Sequence, residues 1–403
     1  MSLSTEPRGA GTAPAITIFS TAPTVPLIAL GAFALGMASY VTAGLIPMIE
    51  QAFSVPVGVA AQLVTAFTLA YGLGSPVVVA LLPGHRQRVG LLAALGLFVL
   101  ANAASALATD FAWLLLFRGL AGIGAGVYLA MGIATAAAIS PSTRGKAIAL
   151  IMGGMAAGTV LGVPLGLLLA ERWGWASALW LVTLLGLGAL LGLSWRLPAL
   201  PDAASIPLRR KLSLLVDGHV VVILLVSLLA AIASLGMYTF LAPLLSASEY
   251  GGVKSITPYL WVWGIGGVAG SFLVGPLADR IQGPKLTFII MLALSLSLLA
   301  LPLVAGWNVW MVLFPIAIWG AVGWALQVPQ NNELIHARET QGDGNLAVAL
   351  NESALYLGSA IGAAGGGLIL VLNLPIWMLA AGAGVVAAAG AVVQASNLRR
   401  KVR

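Results

Sequence analysis

The chain has 403 residues, 60% of them hydrophobic and only 8% charged, with a mean hydropathy of +1.03. A soluble domain carries about 25% charged residues, so this composition excludes a water-soluble globular protein and leaves a polytopic membrane protein. Cysteine is absent, which excludes disulfides, thiol catalysis and thiolate metal sites, while the net charge of +7 acquires a meaning only from where the charges lie.

Apolar runs of spanning length occur at 25–47, 57–82, 89–108, 112–137, 146–170 and 176–195, and again at 218–245, 257–278, 286–305, 309–331, 346–371 and 375–396. Each has about 20 residues or slightly more, enough to cross a hydrocarbon core of about 30 Å. In lipid each must be helical, because the backbone has no other partner. The segment before Val25 has no apolar stretch of its own and the first apolar run is a full span, so no cleaved signal peptide is expected. Twelve spans place both termini on one side. With that side cytoplasmic, sixteen of the 19 Lys and Arg residues are cytoplasmic; only Arg172 and Lys254 fall outside, and Arg118 lies within a span. The positive charge is therefore a topology signal, and no aromatic-interleaved basic patch points to nucleic acid.

A proline-containing basic stretch, 196–217, separates two sets of six spans. The expected organisation is a cytoplasmic tail (1–24), a six-helix bundle (25–195), a cytoplasmic linker (196–217), a second bundle (218–396) and a basic tail (397–403). An internal repeat supports the duplication: Gly158, Gly162 and Gly166 are matched by Gly358, Gly362 and Gly366 at a spacing of 200 residues. Ala147, Ala149 and Leu150 are matched in the same register by Ala347, Ala349 and Leu350. Glycines four apart share a helix face and let two helices approach closely. Pro164 removes a backbone donor there and is expected to bend the helix.

Several residues carry possible chemistry. Arg118 lies about six residues into the fourth span from the outer side, where a cation faces a bundle interior or an aqueous cavity, unless it snorkels to the interface. Glu352 is the one carboxylate well inside a span, roughly 9 Å from the cytoplasmic end of the eleventh. It is a candidate proton carrier; the alternative is an end-of-helix acid paired with Arg338 or Lys146. The heights of Arg118 and Glu352 differ, so no direct ion pair is expected. The first span has no acid in Gly36-Met-Ala-Ser39-Tyr40-Val-Thr42-Ala-Gly44. No GxxxxGK[ST] loop or Gly-x-Ser-x-Gly elbow occurs, so transport driven by its own ATPase is excluded. His85, His219 and His336 do not pair with carboxylates at metal-ligand spacing, and no metal or cofactor is expected.

The order of the motifs resembles the major facilitator superfamily over essentially the whole chain. Arg118-Gly-Leu-Ala-Gly122-Ile-Gly124-Ala-Gly126 in span four, Gly158-Thr-Val-Leu-Gly162-Val-Pro164-Leu-Gly166 in span five and Gly275-Pro-Leu-Ala-Asp279-Arg280-Ile-Gln-Gly283-Pro-Lys285 after span eight carry the likeness. Tyr238-Thr-Phe-Leu-Ala-Pro243, Pro329-Gln330 and Asn351-Glu-Ser-Ala-Leu-Tyr356-Leu-Gly358 extend it. Within the superfamily the chain is similar to bacterial twelve-helix drug:proton antiporters of the sugar-efflux and chloramphenicol-resistance branch. That resemblance implies an all-α protein of two pseudo-symmetric six-helix bundles, working by alternating access in the bacterial inner membrane. It implies that the Gly158 face seals the two halves together, that Asp279 and Arg280 clamp the cytoplasmic side, and that Arg118 takes part in coupling. It draws the cavity lining from Tyr40, Thr42, Arg118, Tyr128, Tyr238, Thr239, Trp319 and Gln330, with Gly323 and Leu326 on the face of Trp319. Such a lining suits a moderately hydrophobic, neutral or weakly charged small solute. The first half departs from the superfamily at Leu82-Pro83-Gly84-His85-Arg86-Gln87-Arg88, which has no acid. Proton-driven export by a monomer is the leading expectation. An uncoupled facilitator or uptake carrier, which the missing acid of span one favours, and a non-transporting sensor or assembly factor are the rivals.

Overall fold

The computed structural model describes residues 24–82, 86–140, 144–198, 216–338 and 344–402. His85, the N-terminal tail, most of the linker and the side chains of Asp279 and Lys146 lie outside the described residues. Among the described residues, twelve helices are long and apolar enough to cross a membrane. They are α1 (Thr24–Phe53), α2 (Val57–Val79), α3 (Gln87–Ala106), α4 (Phe111–Ile139), α5 (Leu150–Trp173) and α6 (Ala176–Arg196). The second six are α7 (Gly218–Ser246), α8 (Thr257–Arg280), α9 (Gly283–Ala305), α10 (Val309–Ala337), α11 (Gly344–Val371) and α12 (Trp377–Val402).

Local sequence explains how several helices start and bend. Asp110 caps α4 by accepting from the Ala112 N–H at 2.7 Å, and Asp217 caps α7 through the N–H groups of His219 and Val220. Burial pushes the Asp217 carboxyl upward, but those two N–H groups and the Arg338 guanidinium, 3.0 Å away, outweigh it and hold the group below the ordinary aspartate range. In α2 and α5 a π-helical turn, Ala70–Gly74 and Gly158–Gly162, precedes Pro76 and Pro164. Each proline lacks the N–H that would bond the residue four back, Gly72 or Val160, and that residue lies inside the π turn. α1 runs six residues beyond the expected end because Pro47 sits inside it without ending it.

The two halves repeat one packing pattern. α1 packs on α5 and α6 as α7 packs on α11 and α12; α2 packs on α4 as α8 packs on α10; α3 packs on α6 as α9 packs on α12. The glycine repeat is the same contact made twice. A Cβ at Gly158 would collide with the carbonyl oxygen of Phe33, and one at Gly162 would lie 3.0 Å from the Met37 Cβ, both on α1. A Cβ at Gly358 would meet the Leu228 carbonyl oxygen at 2.5 Å, and one at Gly362 would meet the Gly236 Cα at 2.7 Å, both on α7. Gly166 and Gly366 continue the faces onto Met37 and Phe240. These glycines therefore press α5 and α11 onto helices of their own half, whereas the sequence reading had the Gly158 face closing one half on the other.

The halves meet instead along α2–α11, α5–α8 and α1–α7. A Cβ added at Gly58 would collide with the Gly367 carbonyl oxygen, one at Gly72 would lie 3.2 Å from Ser353 and Leu357, and one at Gly264 would lie 3.3 Å from Val160. The α2–α11 contacts involve Val57–Ala60, Gln62–Leu69 and Ala70–Gly74, and the α5–α8 contacts involve Gly158–Gly162 and Val163–Trp173. Both seams thus run along the end of the bundle opposite to the chain termini.

Two stability effects follow. Gly158→Ala forces α1 and α5 apart and should cost about 1–3 kcal/mol, read as a lowered thermal midpoint in detergent, whereas Gly153→Ala, with nothing within 4 Å of its added Cβ, should leave the midpoint unchanged. Asp217→Ala should cost about 1 kcal/mol at neutral pH. The depressed carboxyl stabilises the fold above the ordinary aspartate value of 3.8 and loses that effect as pH falls through its folded value, so the wild-type and variant melting curves should converge in acid.

Candidate functional site

A cavity of about 380 Å³ lies between the halves. Its walls come from α1 (Tyr40), α5 (Met152, Met155, Thr159), α7 (Ser234, Leu235), α8 (Trp263, Ser271, Phe272), α10 (Gly323, Trp324, Gln327) and α11 (Glu352, Tyr356). Met152 and Glu352 lie early in helices that start at the terminal end, and Gln327 lies late in one that finishes there. The cavity therefore extends towards the end that carries the chain termini.

Its opposite end is closed by aromatic rings. Tyr40 meets Tyr238 edge-on at 5.3 Å and Trp263 at 5.9 Å, and Tyr238 lies 4.6 Å from Trp263. Tyr71 of α2 stacks on Tyr356 of α11 at 3.5 Å and 15°. Each of these clusters joins rings from both halves. Beyond them, Ser39, Tyr238, Thr239 and Ser359 line a void of only about 10 Å³, room for at most about one water. At the far end the Glu171 carboxylate of α5 accepts from Ser255 at 2.5 Å and from Thr257 of α8 at 3.3 Å, which ties the seam shut.

The sequence candidates separate into groups. Tyr40 and Glu352 line the main cavity, as do Gly323 and Leu326. Tyr238 and Thr239 line the small void beyond the rings, and Thr239 donates to the Leu235 carbonyl within α7. Trp319 is buried and donates to Ser234 at 2.8 Å, so it backs the wall rather than forming it. Tyr128 is buried and donates to the Ile28 carbonyl at 3.0 Å, joining α4 to α1. Gln330 is 1% exposed and both of its amide atoms are unpartnered. Arg280 is exposed at the end of α8.

Arg118 is only 1% exposed and lies outside the cavity lining. Its Nη1 reaches the Thr42 hydroxyl at 3.4 Å, its guanidinium lies 4.9 Å over the Phe67 ring, and its Nε and Nη2 have no hydrogen-bond partner. It is thus buried in the first half rather than snorkelled. Glu352 is half-buried and belongs to neither the ion pair Asp217–Arg338 nor the side-chain contact His219–Glu333. The second of these, at 3.4 Å, unites residues more than a hundred positions apart, which spacing along the chain does not show. Sequence reasoning also missed Trp263, Trp324 and Glu171. Trp263 and Trp324 lie on the glycine-rich helix pair α8–α10, where glycines set rings across a tight contact: a Cβ at Gly267 would lie 2.9 Å from the Trp324 ring.

The family model described as "Major Facilitator Superfamily" matches residues 28–338. The chain is 30% identical over 354 residues to the inner membrane transport protein YdhP of Escherichia coli (strain K12), covering 87% of this chain and 90% of that one. It is 33% identical over 259 residues to a chloramphenicol resistance protein of Streptomyces lividans, covering 63% and 66%. Among solved structures, a D-xylose-proton symporter superposes with a TM-score of 0.72 at 16% identity, over 92% of this chain and 96% of that one. An inward-facing, occupied bacterial homologue of the lysosomal transporter Spinster gives 0.70 at 18%, over 94% and 96%.

If Glu171 ties the far end, Glu171→Ala should raise the rate at which an impermeant thiol reagent labels a Ser39→Cys reporter from that side by several-fold. The absence of any native cysteine makes the background silent. An unchanged rate would mean that the aromatic rings alone hold the seam.

Proposed function

The chain belongs to the Major Facilitator Superfamily, and from that premise we propose that it exports a small amphipathic solute across a bacterial inner membrane in exchange for protons, by alternating access. The observation that carries this reading is a central cavity with one lining carboxylate, Glu352, and a closed far end. The distribution of Lys and Arg puts the terminal end in the cytoplasm. The conformation is then inward-facing, with the cavity loading from the cytoplasm and the rings of Tyr40, Tyr71, Tyr238, Trp263 and Tyr356 as the outer barrier.

Each residue has a part. Glu352 takes a proton where the cavity is wet and gives it up on the other side of the cycle. Arg118, held by Thr42 and Phe67, sets the potential inside the first half and acts in coupling without an acid on α1. The glycine faces Gly158–Gly166 and Gly358–Gly366 bind α5 to α1 and α11 to α7, so that each half rocks as a unit and the aromatic seam opens between them. Asp279 and Arg280 serve the complementary state, clamping the cytoplasmic side when the outer side opens. The chain acts as a monomer in the bilayer, since the cavity is complete within one copy.

One observation favours the uncoupled alternative. The polar contact of Arg118 on α1 is a threonine, so the first half has no carboxylate against its cation. Efflux assays separate the two. Cells lacking their own exporters and expressing the wild type should extrude members of a labelled panel of drugs and sugars, and a protonophore should abolish it. Glu352→Gln should reduce gradient-driven efflux about tenfold or more, in line with the contribution of a proton-transfer group. Efflux indifferent to the protonophore would make the chain a facilitator, and gradient-driven efflux that survives in the variant would move coupling to Arg118.

A further inference from the structure

We propose that the cargo of the central cavity is an organic cation with an aromatic or apolar body, and that Glu352 is its counter-charge. The inference rests on reading this cavity as the transport site. Charge comes first. Among the described lining residues Glu352 is a carboxylate and none is Lys, Arg or His. The sequence reading had placed Arg118 in the wall, which would have left the site near neutrality. Arg118 is instead buried against Thr42 and Phe67. The cavity therefore carries an uncompensated negative charge when Glu352 is ionised. A charge in a low-dielectric wall is compensated either by a proton or by a cation.

The ring faces give the second argument. Tyr40, Trp263, Trp324 and Tyr356 come from four helices of the two halves and line the same space as Glu352. Trp263 and Trp324 are set edge-to-face at 5.9 Å and 76°, so two indole surfaces border the cavity at an angle. Indole faces attract cations more strongly than other side-chain rings do, and more so away from water. The volume of about 380 Å³ accommodates a drug-sized body.

A polyhydroxylated cargo fits this wall less well than an apolar cation. A sugar needs several convergent hydrogen-bonding groups to replace its water. Here several of the aliphatic hydroxyls are already engaged within the protein. Thr159 donates to the Met155 and Gly36 carbonyls, Ser271 donates to Gly267, and Ser234 accepts from Trp319. What remains is largely apolar surface and aromatic faces, with the Gln327 amide, the Tyr40 and Tyr356 hydroxyls and one charge.

A proton and an organic cation cannot both neutralise Glu352 at once, so the two bind exclusively. Exchange then follows from competition at one atom group.

The test uses the purified full chain in lipid nanodiscs and radiolabelled tetraphenylphosphonium, measured by equilibrium dialysis against empty nanodiscs. Wild type should bind it saturably, with affinity that falls as the medium is acidified. Glu352→Gln should lose about tenfold or more in affinity and lose the pH dependence. Trp324→Ala should weaken binding by a smaller factor and keep the pH dependence. A thermal melt shows whether each variant is folded; if Glu352→Gln is not, the pH dependence of the wild type decides. Binding of tetraphenylphosphonium that is indifferent to pH, undiminished in folded Glu352→Gln, or absent while neutral chloramphenicol binds would overturn the proposal. Protonophore-sensitive export of a neutral drug without cation binding would remove this inference and leave the export reading standing. Cation binding as described without gradient-driven efflux would do the reverse.

Discussion

Helices in lipid gain nothing by hiding apolar surface from one another, because the acyl chains are as apolar as leucine, so the bundle depends on how closely two backbones can approach. In this chain that constraint is met by one contact used twice. α5 lies on α1 through Gly158, Gly162 and Gly166, and α11 lies on α7 through Gly358, Gly362 and Gly366. At Gly158 and Gly362 the neighbouring helix occupies the volume a methyl group would need. The approach joins the helices within each half, while rings, a few glycines and one carboxylate clasp make the contact between the halves. The close glycine faces thus order the packing inside each half.

The ordering also explains why the glycine repeat is easy to see and easy to misplace. A spacing of four identifies a close-packing face, but not which helix lies against it. The twelve spans were legible from apolar runs because lipid leaves the backbone no alternative to helix. Their ends shifted where the physics is local, as at α1, which continues through Pro47 to Phe53. The site was legible in part. Tyr40 and Glu352 stand out as a ring and a lone acid in apolar helices, and both line the cavity. Trp319 stands out equally but bonds Ser234 behind the wall, while Trp324 forms the wall itself. The two are five residues apart, and only the packing of α8 against α10 determines which of them faces the cavity. Glu171 and the His219–Glu333 pair depend on partners distant in the chain, which one sequence does not relate.

Arg118 and Glu352 are divided between the halves. Arg118 is enclosed in the first, one nitrogen on Thr42 and its plane over Phe67, with two donors unpaired. Glu352 stands in the second, half-buried at the cavity wall. Removing a cation from water to such a place is expensive, and the cation–ring contact returns only part of that cost. A guanidinium kept there fixes a positive potential inside the first half, whereas the carboxylate sits at the cavity wall. In the reading proposed above, charge compensation at Glu352 comes from what enters the cavity rather than from the protein.

That division ties the chemistry to the seam. Tyr356 borders the same cavity as Glu352, lies one helical turn beyond it on α11, and stacks on Tyr71 of the other half. Whatever settles against Glu352 therefore lies beside one of the two aromatic contacts that close the far end of the cavity. A bulky apolar body pressed against Tyr356, Tyr40 and Trp263 competes with the ring-to-ring contacts across the seam, each worth about 0.5–1.5 kcal/mol. A proton on Glu352 neutralises the same charge but occupies no such volume. In the exchange proposed above, the two ligands are equivalent to the carboxylate and different to the ring contacts, and that difference would give a cargo and a proton separate effects on one opening step.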